Sequence, residues 1–330
     1  MLNLATNYLG LDLKNPIIVA SSGLTDSVEK IKELEANGAG AVILKSLFEE
    51  EIIMEMEEMM HNMTSRPYIY PETFDYMDEE NKEDSVRKYL RLIQEAKAAV
   101  SIPIIASINC VSAQKWTYFS REVEKAGADA LEINLFVLPT DMNRTSQENE
   151  QIYFDVIENV KKQVALPIAL KISPYLSNLA NMIKRMDDLD VEGVVMFNRF
   201  YSPDFDIHNM EISSGQVLSH SDDYKNSLRW IGIMSERVNC SLAATTGLHT
   251  SESIIKQILA GADAVQLASV IYKEGPEYID ILLKEIYAWM TDHGYENIRD
   301  FRGKMSQSKA NDPAAFERVQ FMKHFRNFTM

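Results

Sequence analysis

Two lysines and three asparagines in this sequence stand where short apolar runs stop. Lys45 follows Val42-Ile43-Leu44, Asn109 follows Ile104 to Ile108, and Asn134 follows Leu131-Glu132-Ile133. Lys171 follows Ile168-Ala169-Leu170, and Asn198 follows Val194 to Phe197. Other runs stop at small residues: Ser21-Ser22-Gly23, Ser46 just beyond Lys45, Thr245-Thr246-Gly247 and Ala268-Ser269. Lysine brings fixed positive charge, and the asparagine amide both donates and accepts. Small residues let backbone N–H groups come close to a ligand. If these stops meet in space, they make a pocket for a flat heterocycle rich in carbonyls and ring nitrogens, with a phosphate at its small-residue end.

The elements that must bring them together are legible as repeats. Gly38-Ala39-Gly40-Ala41, Gly127-Ala128-Asp129-Ala130 and Gly261-Ala262-Asp263-Ala264 each lead into an apolar run, and Glu192-Gly193 is a looser copy. Each reads as a helix stop with Gly near its end, then a strand. A second type of strand opens at Ile102-Pro103, Leu166-Pro167 and Cys240-Ser241, and Pro at a strand's first residue costs no ladder hydrogen bond. With Pro16 to Ala20 the count is eight. Segments of helical spacing lie between them, such as Val28-Ile31-Leu34, Val86 to Val100, Tyr153-Val156-Ile157-Val160 and Ile254-Ile255-Ile258-Leu259. Eight buried strands alternating with helices predict an α/β fold, a (β/α)8 TIM barrel, with a doubly wound sheet as the rival. The glycines at 38 and 40 precede a strand and lack a third partner, so they are no dinucleotide fingerprint. Barrel chemistry sits at the C-terminal strand ends, with phosphate at the loops after strands 7 and 8. The polar stops fall at those ends. An isoalloxazine suits them, because a cation near its N1/C2 carbonyl stabilises the reduced anion.

The sequence has 330 residues, 46% hydrophobic and 25% charged, with a formal net charge of −16. Phosphate backbones are repelled by that charge, so no nucleic-acid partner is expected. No apolar stretch reaches the roughly 20 residues of a membrane span. The opening residues have no signal-peptide pattern. Two cysteines, Cys110 and Cys240, make no disulfide framework, and a reducing cytoplasm is expected. No cluster has metal-ligand spacing, so no metal is expected. Residues 1–330 are expected to form a single domain, with a barrel core over about 15–295 and a C-terminal extension over about 297–330. Long loops should follow strand 2 (Ser46 to about Met77, rich in Glu and Met) and strand 6 (Arg199 to about Tyr224). Much of the acidic excess lies in Glu49 to Glu58 and Asp75 to Glu83.

From about Asn15 to Gly303 the chain resembles the dihydroorotate dehydrogenases, FMN-dependent barrels. NPIIVASSGL is similar to the family's opening strand, AVILKS to the strand with the flavin lysine, and SIN to the strand whose asparagine faces the flavin. ALKISPYL resembles the segment with the second flavin lysine. AATTGLHTSESIIKQILAGADAVQLASVIYKEGPEYI resembles the Gly-rich signature, final strand and phosphate turn. The resemblance implies FMN contacts at Ser21, Ser22, Lys45, Ser46, Asn109, Asn134, Lys171, Asn198, Gly215, Thr245, Thr246, Gly247, Ala268 and Ser269. It also implies hydride transfer from a CH–CH bond of a dihydropyrimidine-like small-molecule substrate to the flavin, a place in pyrimidine biosynthesis, and the soluble branch, in which homodimers are usual.

The pattern breaks after strand 4. The family has a Cys or Ser there, in Asn-Leu-Ser-(Cys or Ser)-Pro-Asn, that takes a proton from the substrate. Here the segment is Asn134-Leu135-Phe136-Val137-Leu138-Pro139-Thr140, and the base position falls on Val137 or Leu138. An uncompensated loss costs on the order of 10²–10⁴ in rate. The catalytic residue is thus unassigned; Cys110, Asp141, His208 and His220 are substitutes by loop position only. A further family asparagine after strand 2 has no counterpart, and Arg199 replaces a small residue after Asn198. Two alternatives stay open: a flavin- or ligand-binding homologue without dihydroorotate turnover, and a non-redox lyase using Lys171 as a Schiff base. The apolar stripe Ala315-Phe316-Val319-Phe321-Met322-Phe325 packs either on its own barrel or on a second copy.

Overall fold

The computed structural model describes residues 2–52, 54, 84–110, 116–135, 137–199 and 203–317. The chain opens with an antiparallel hairpin, β1 (Thr6–Tyr8) and β2 (Leu11–Leu13). Then follow β3 (Ile17–Val19), α1 (Val28–Ala36), β4 (Ala41–Ile43), β5 (Leu47–Phe48), α2 (Ser85–Ala99), β6 (Ile104–Cys110), α3 (Trp116–Ala126), β7 (Ala130–Leu135), α4 (Ser146–Lys161), β8 (Ile168–Ile172), α5 (Leu179–Asp188) and β9 (Gly193–Met196). A second hairpin, β10 (Pro203–Asp206) and β11 (Glu211–Ser214), precedes α6 (Tyr224–Met234), β12 (Ser241–Thr245), α7 (Ser251–Ala260), β13 (Ala264–Leu267), α8 (Ser269–Glu274) and α9 (Tyr278–Asp292).

The eight expected strands are β3, β4, β6, β7, β8, β9, β12 and β13. All pair in parallel, and the β4–β6 pairing closes the ring. The fold is a (β/α)8 barrel, and the doubly wound rival is excluded. The second strand is interrupted: β4 stops at Ile43, and β5 resumes the pairing with β6 at Leu47. Lys45 and Ser46 lie in that break.

Alternate strand residues face the bore. At its N-terminal end these are mostly alanines: Ala41, Ala130, Ala169, Ala243 and Ala264. Such a ring leaves space, which the first hairpin fills with Tyr8 and Leu9, 0% and 2% exposed. At Gly193 a Cβ would lie 2.3 Å from Leu9 Cδ2, so glycine there makes room for the plug as it is seated. The Leu9 N–H donates to Ser241 Oγ at 3.1 Å, and Thr6 Oγ1 donates to the Asp263 carbonyl at 2.9 Å. The core therefore begins well before residue 15. Strands of three residues are too short for alternation to reveal them.

The acids of the repeats have a shared task. Asp129, at the entry to β7, accepts from Ile104 N–H on β6 at 2.7 Å and pairs with Lys97. Asp263, at the entry to β13, accepts from Leu242 N–H on β12 at 2.9 Å and pairs with Arg302 at 2.8 Å. Glu192 accepts from Ile168 N–H at 2.8 Å, with Lys161 3.7 Å away. Each acid thus pins an N–H at the start of the previous strand, a donor the ladder leaves open. Gly40 replaces the acid in the first copy, and the Asn15 amide serves instead, accepting from Ile17 N–H and donating to Gly38 O.

Outside the bore, the helices' inner faces and the outward strand residues form one continuous apolar core. The described part of the C-terminal extension packs on its own barrel. Gly303, Met305 and Gln307 N–H groups donate to the carbonyls of Ile258, Leu259 and Gly232, and Phe316 lies against Gly232. The stripe beyond Glu317, and nearly all of the Glu/Met-rich strand 2 loop, fall outside the described residues. No helix among the described residues is long and apolar enough to cross a membrane.

Candidate functional site

A cavity of about 650 Å³ opens at the C-terminal end of the barrel. Ser21, Ser22, Lys45, Ser46, Asn109, Asn134, Lys171, Asn198, Thr245, Thr246, Gly247, Ala268 and Ser269 all line it. Strand alternation explains most of this. The inward positions that carry Ile43, Ile105, Ala130, Ala169 and Ala243 at the floor carry Lys45, Asn109, Asn134, Lys171 and Thr245 at the mouth. One register turns an apolar plug into a polar rim within four residues.

Gly215 is the exception, standing outside the cavity lining. Arg199 is the physical reason. Its guanidinium donates to the carbonyls of Gln216, at 2.6 Å, and Val217. This grip turns the strand 6 loop so that Val217 and Ser219, further along, reach the cavity instead. Ser219, 3% exposed, then holds the two expected phosphate turns together. Its N–H donates to Ser269 Oγ at 3.0 Å, its Oγ accepts from Gly247 N–H at 3.3 Å, and its carbonyl accepts from Lys273 Nζ at 3.1 Å. The His249 ring lies 2.9 Å from the same hydroxyl, and burial together with the Lys273 charge holds its pKa below the usual histidine value. Gly247, at φ +77°, is required, since a Cβ there would lie 2.3 Å from Tyr224 N. Thr246 shares the left-handed region at φ +73°, a strained place for a β-branched residue, worth about 1–3 kcal/mol.

A line of hydroxyls runs along one wall. Ser21 Oγ meets Ser46 Oγ at 2.9 Å, Ser46 Oγ meets Ser107 Oγ at 2.7 Å, and Asn134 Nδ2 donates to both Ser107 and Ser46. This fixes the orientation of the Asn134 amide. Asn198 Nδ2 donates to the Lys171 carbonyl at 2.9 Å. The Lys171 ammonium donates to Gln266 Oε1 at 3.1 Å and lies 3.6 Å from Glu132 Oε1. By contrast, the Lys45 ammonium and the Asn109 amide have no side-chain partner among the described residues. A cation and an amide in a concave polar mouth, unpaired with any described side chain, are what an oxygen- and nitrogen-bearing ligand would satisfy.

The segment that replaces the family's base does not reach the cavity. Val137 packs on the apolar core, and Leu138 is 49% exposed. Asp141 is on the surface near Arg144, and His208 is exposed at the turn of the second hairpin. His220 lines an adjoining cleft of about 470 Å³ with Tyr175, Asp223 and Asn226. The Cys110 side chain lies outside the described residues.

Four buried polar residues of this region escaped sequence reasoning: Ser107, Glu132, Ser219 and Gln266. Three of them lie two residues before a rim position that was expected, so the period of two alone would have found them. For Ser219 there was no local signal.

The family profile described as dihydroorotate dehydrogenase matches residues 3–290. The dihydroorotate dehydrogenase B (NAD(+)) catalytic subunit of Thermoplasma volcanium is 24% identical over 316 residues, covering 92% of this chain and 98% of its own length. The same subunit of Methanocaldococcus jannaschii is 23% identical over 304 residues, covering 88% and 94%. That of Bacillus cereus is 23% identical over 301 residues, covering 89% and 94%.

Proposed function

Because the chain belongs to the dihydroorotate dehydrogenase family of oxidoreductases acting on CH–CH donors, we propose that its cavity binds FMN and oxidises a cyclic, dihydropyrimidine-like substrate. The carrying observation is the mouth itself, where Lys45 and Asn109 have no side-chain partner among the described residues and stand beside the braced Asn134, Asn198 and Lys171. These residues fit the group. Two lysines match an electron-rich ring, the amides match its carbonyls and ring nitrogens, and the turns at Thr246-Gly247 and Ala268-Ser269 suit its phosphate. When bound, FMN supplies the hydride acceptor. The chain's own work is to orient the ring through the amides, to place positive charge beside it through Lys45 and Lys171, and to hold the phosphate turns together through Ser219. The single domain, the cytoplasmic setting and a homodimer belong to the same reading.

The substrate side supports a second reading, in which flavin is bound but dihydroorotate is not turned over. It rests on Val137 and Leu138, which have no titratable group and do not line the cavity. A Schiff-base lyase is disfavoured, because the Lys171 amine is paired with Glu132 and held by Gln266 rather than free to attack a carbonyl. Anaerobic mixing of the FMN-loaded protein with dihydroorotate separates the two remaining readings. Rapid loss of flavin colour supports turnover. An unchanged spectrum, with colour lost on another cyclic amide, assigns a different substrate.

A further inference from the structure

At the floor of the cavity, three side chains cross the bore. Glu132 on β7 is 0% exposed, and Gln266 on β13 is 1% exposed. Gln266 Nε2 donates to Glu132 Oε2 at 2.6 Å, and Gln266 Oε1 accepts from Lys171 Nζ at 3.1 Å. Lys171 Nζ lies 3.6 Å from Glu132 Oε1, an oxygen that accepts no hydrogen bond. Below them is the fully buried Tyr8 hydroxyl. Burial, and then the Glu132 charge, push its ionisation far up.

Stability does not explain this arrangement. A carboxylate in the bore pays heavily for lost water, and an apolar set of similar volume packs as well or better. The one cation it holds is Lys171, which lines the cavity.

We infer that Glu132 is a positioning residue. Directly and through Gln266 it fixes Lys171 at the cavity floor and offsets part of its charge, and so sets how strongly the site favours reduced over oxidised flavin. The inference rests on the FMN reading. Its logic is the sign of the charge: within a few ångströms, in a medium of effective dielectric near 20, a buried carboxylate still lowers the potential felt by a neighbouring ring.

Two variants test it with opposite signs. Glu132→Gln keeps the shape and removes the anion. The reduced flavin should gain at least about tenfold in affinity relative to the oxidised form, a rise of about 30 mV in a two-electron midpoint. Gln266→Glu adds a second carboxylate beside Lys171 and should move the midpoint down by a similar amount, while Glu132→Asp should stay near the wild type. A merely structural role moves both variants the same way, or neither. Protein without flavin supplies an independent readout: the rate of amine labelling at Lys171, relative to Lys45, should rise at least about threefold in Glu132→Gln as the ion pair that holds Lys171 in place is lost. Midpoints equal to the wild type, or shifted in one direction by both variants, overturn the inference. If the wild type takes up no FMN, it is the flavin reading that fails. The labelling ratio then decides, and an unchanged ratio overturns the positioning role as well.

Discussion

The two ends of this barrel carry the same kinds of residue and treat them in opposite ways. At the N-terminal end, Asp129, Glu192 and Asp263 each hold both a backbone N–H and a cation, and the bore is stoppered by Tyr8 and Leu9. At the C-terminal end, Lys45 and Asn109 face a cavity of about 650 Å³ with no side-chain partner among the described residues. Polar groups that are paired inside the protein contribute to its stability. Those left unpaired in a concave mouth are available to a ligand. This is the division of labour expected of the two faces of a (β/α)8 barrel, and here it follows the strands residue by residue.

Mutations should separate the two ends cleanly. Tyr8→Ala empties the plug and should cost about 3–5 kcal/mol of unfolding free energy, measured by denaturant titration. Next in size, Asp263→Ala leaves Leu242 N–H and Arg302 unpartnered and should cost about 1–3 kcal/mol, with FMN affinity unchanged per folded molecule. Lys45→Ala should do the reverse. Affinity for FMN should fall at least about tenfold, as for loss of a charge-assisted hydrogen bond, while unfolding stays within about 0.5 kcal/mol of the wild type. A Lys45→Ala protein that unfolds early would break the comparison.

The smallest effect concerns pH. Burial, then the Lys273 charge, lower the His249 pKa in the fold, so between that value and the unfolded value near 6.5 the unfolded chain binds more protons. Stability of the docked strand 6 loop should therefore fall slightly as pH drops below about 6.5. Protection factors at Ser219 and Gly247, corrected for the intrinsic pH dependence of exchange, should fall over that window in the wild type, and the change should vanish in His249→Gln.

The barrel was legible because its signals are local and repeated. A glycine stop, an apolar run and a polar end recur around the ring, and thirteen of the fourteen expected contacts meet in one cavity. What escaped detection depends on contacts distant in sequence. The plug hairpin makes sense only once the alanines of five strands are seen to leave a hole. Ser219 matters only because Arg199 turns its loop by two backbone carbonyls. Gly215 was expected at the cavity, and the same turn carries it away. The acids of the repeats were visible, but their partners sit on the neighbouring strand, about 20 to 25 residues earlier.

The most direct test of the account is a titration of the purified wild-type chain with FMN, followed by flavin fluorescence. The account expects saturable uptake of about one FMN per chain, weakened in Lys45→Ala. No uptake by a protein that is folded by circular dichroism would contradict it.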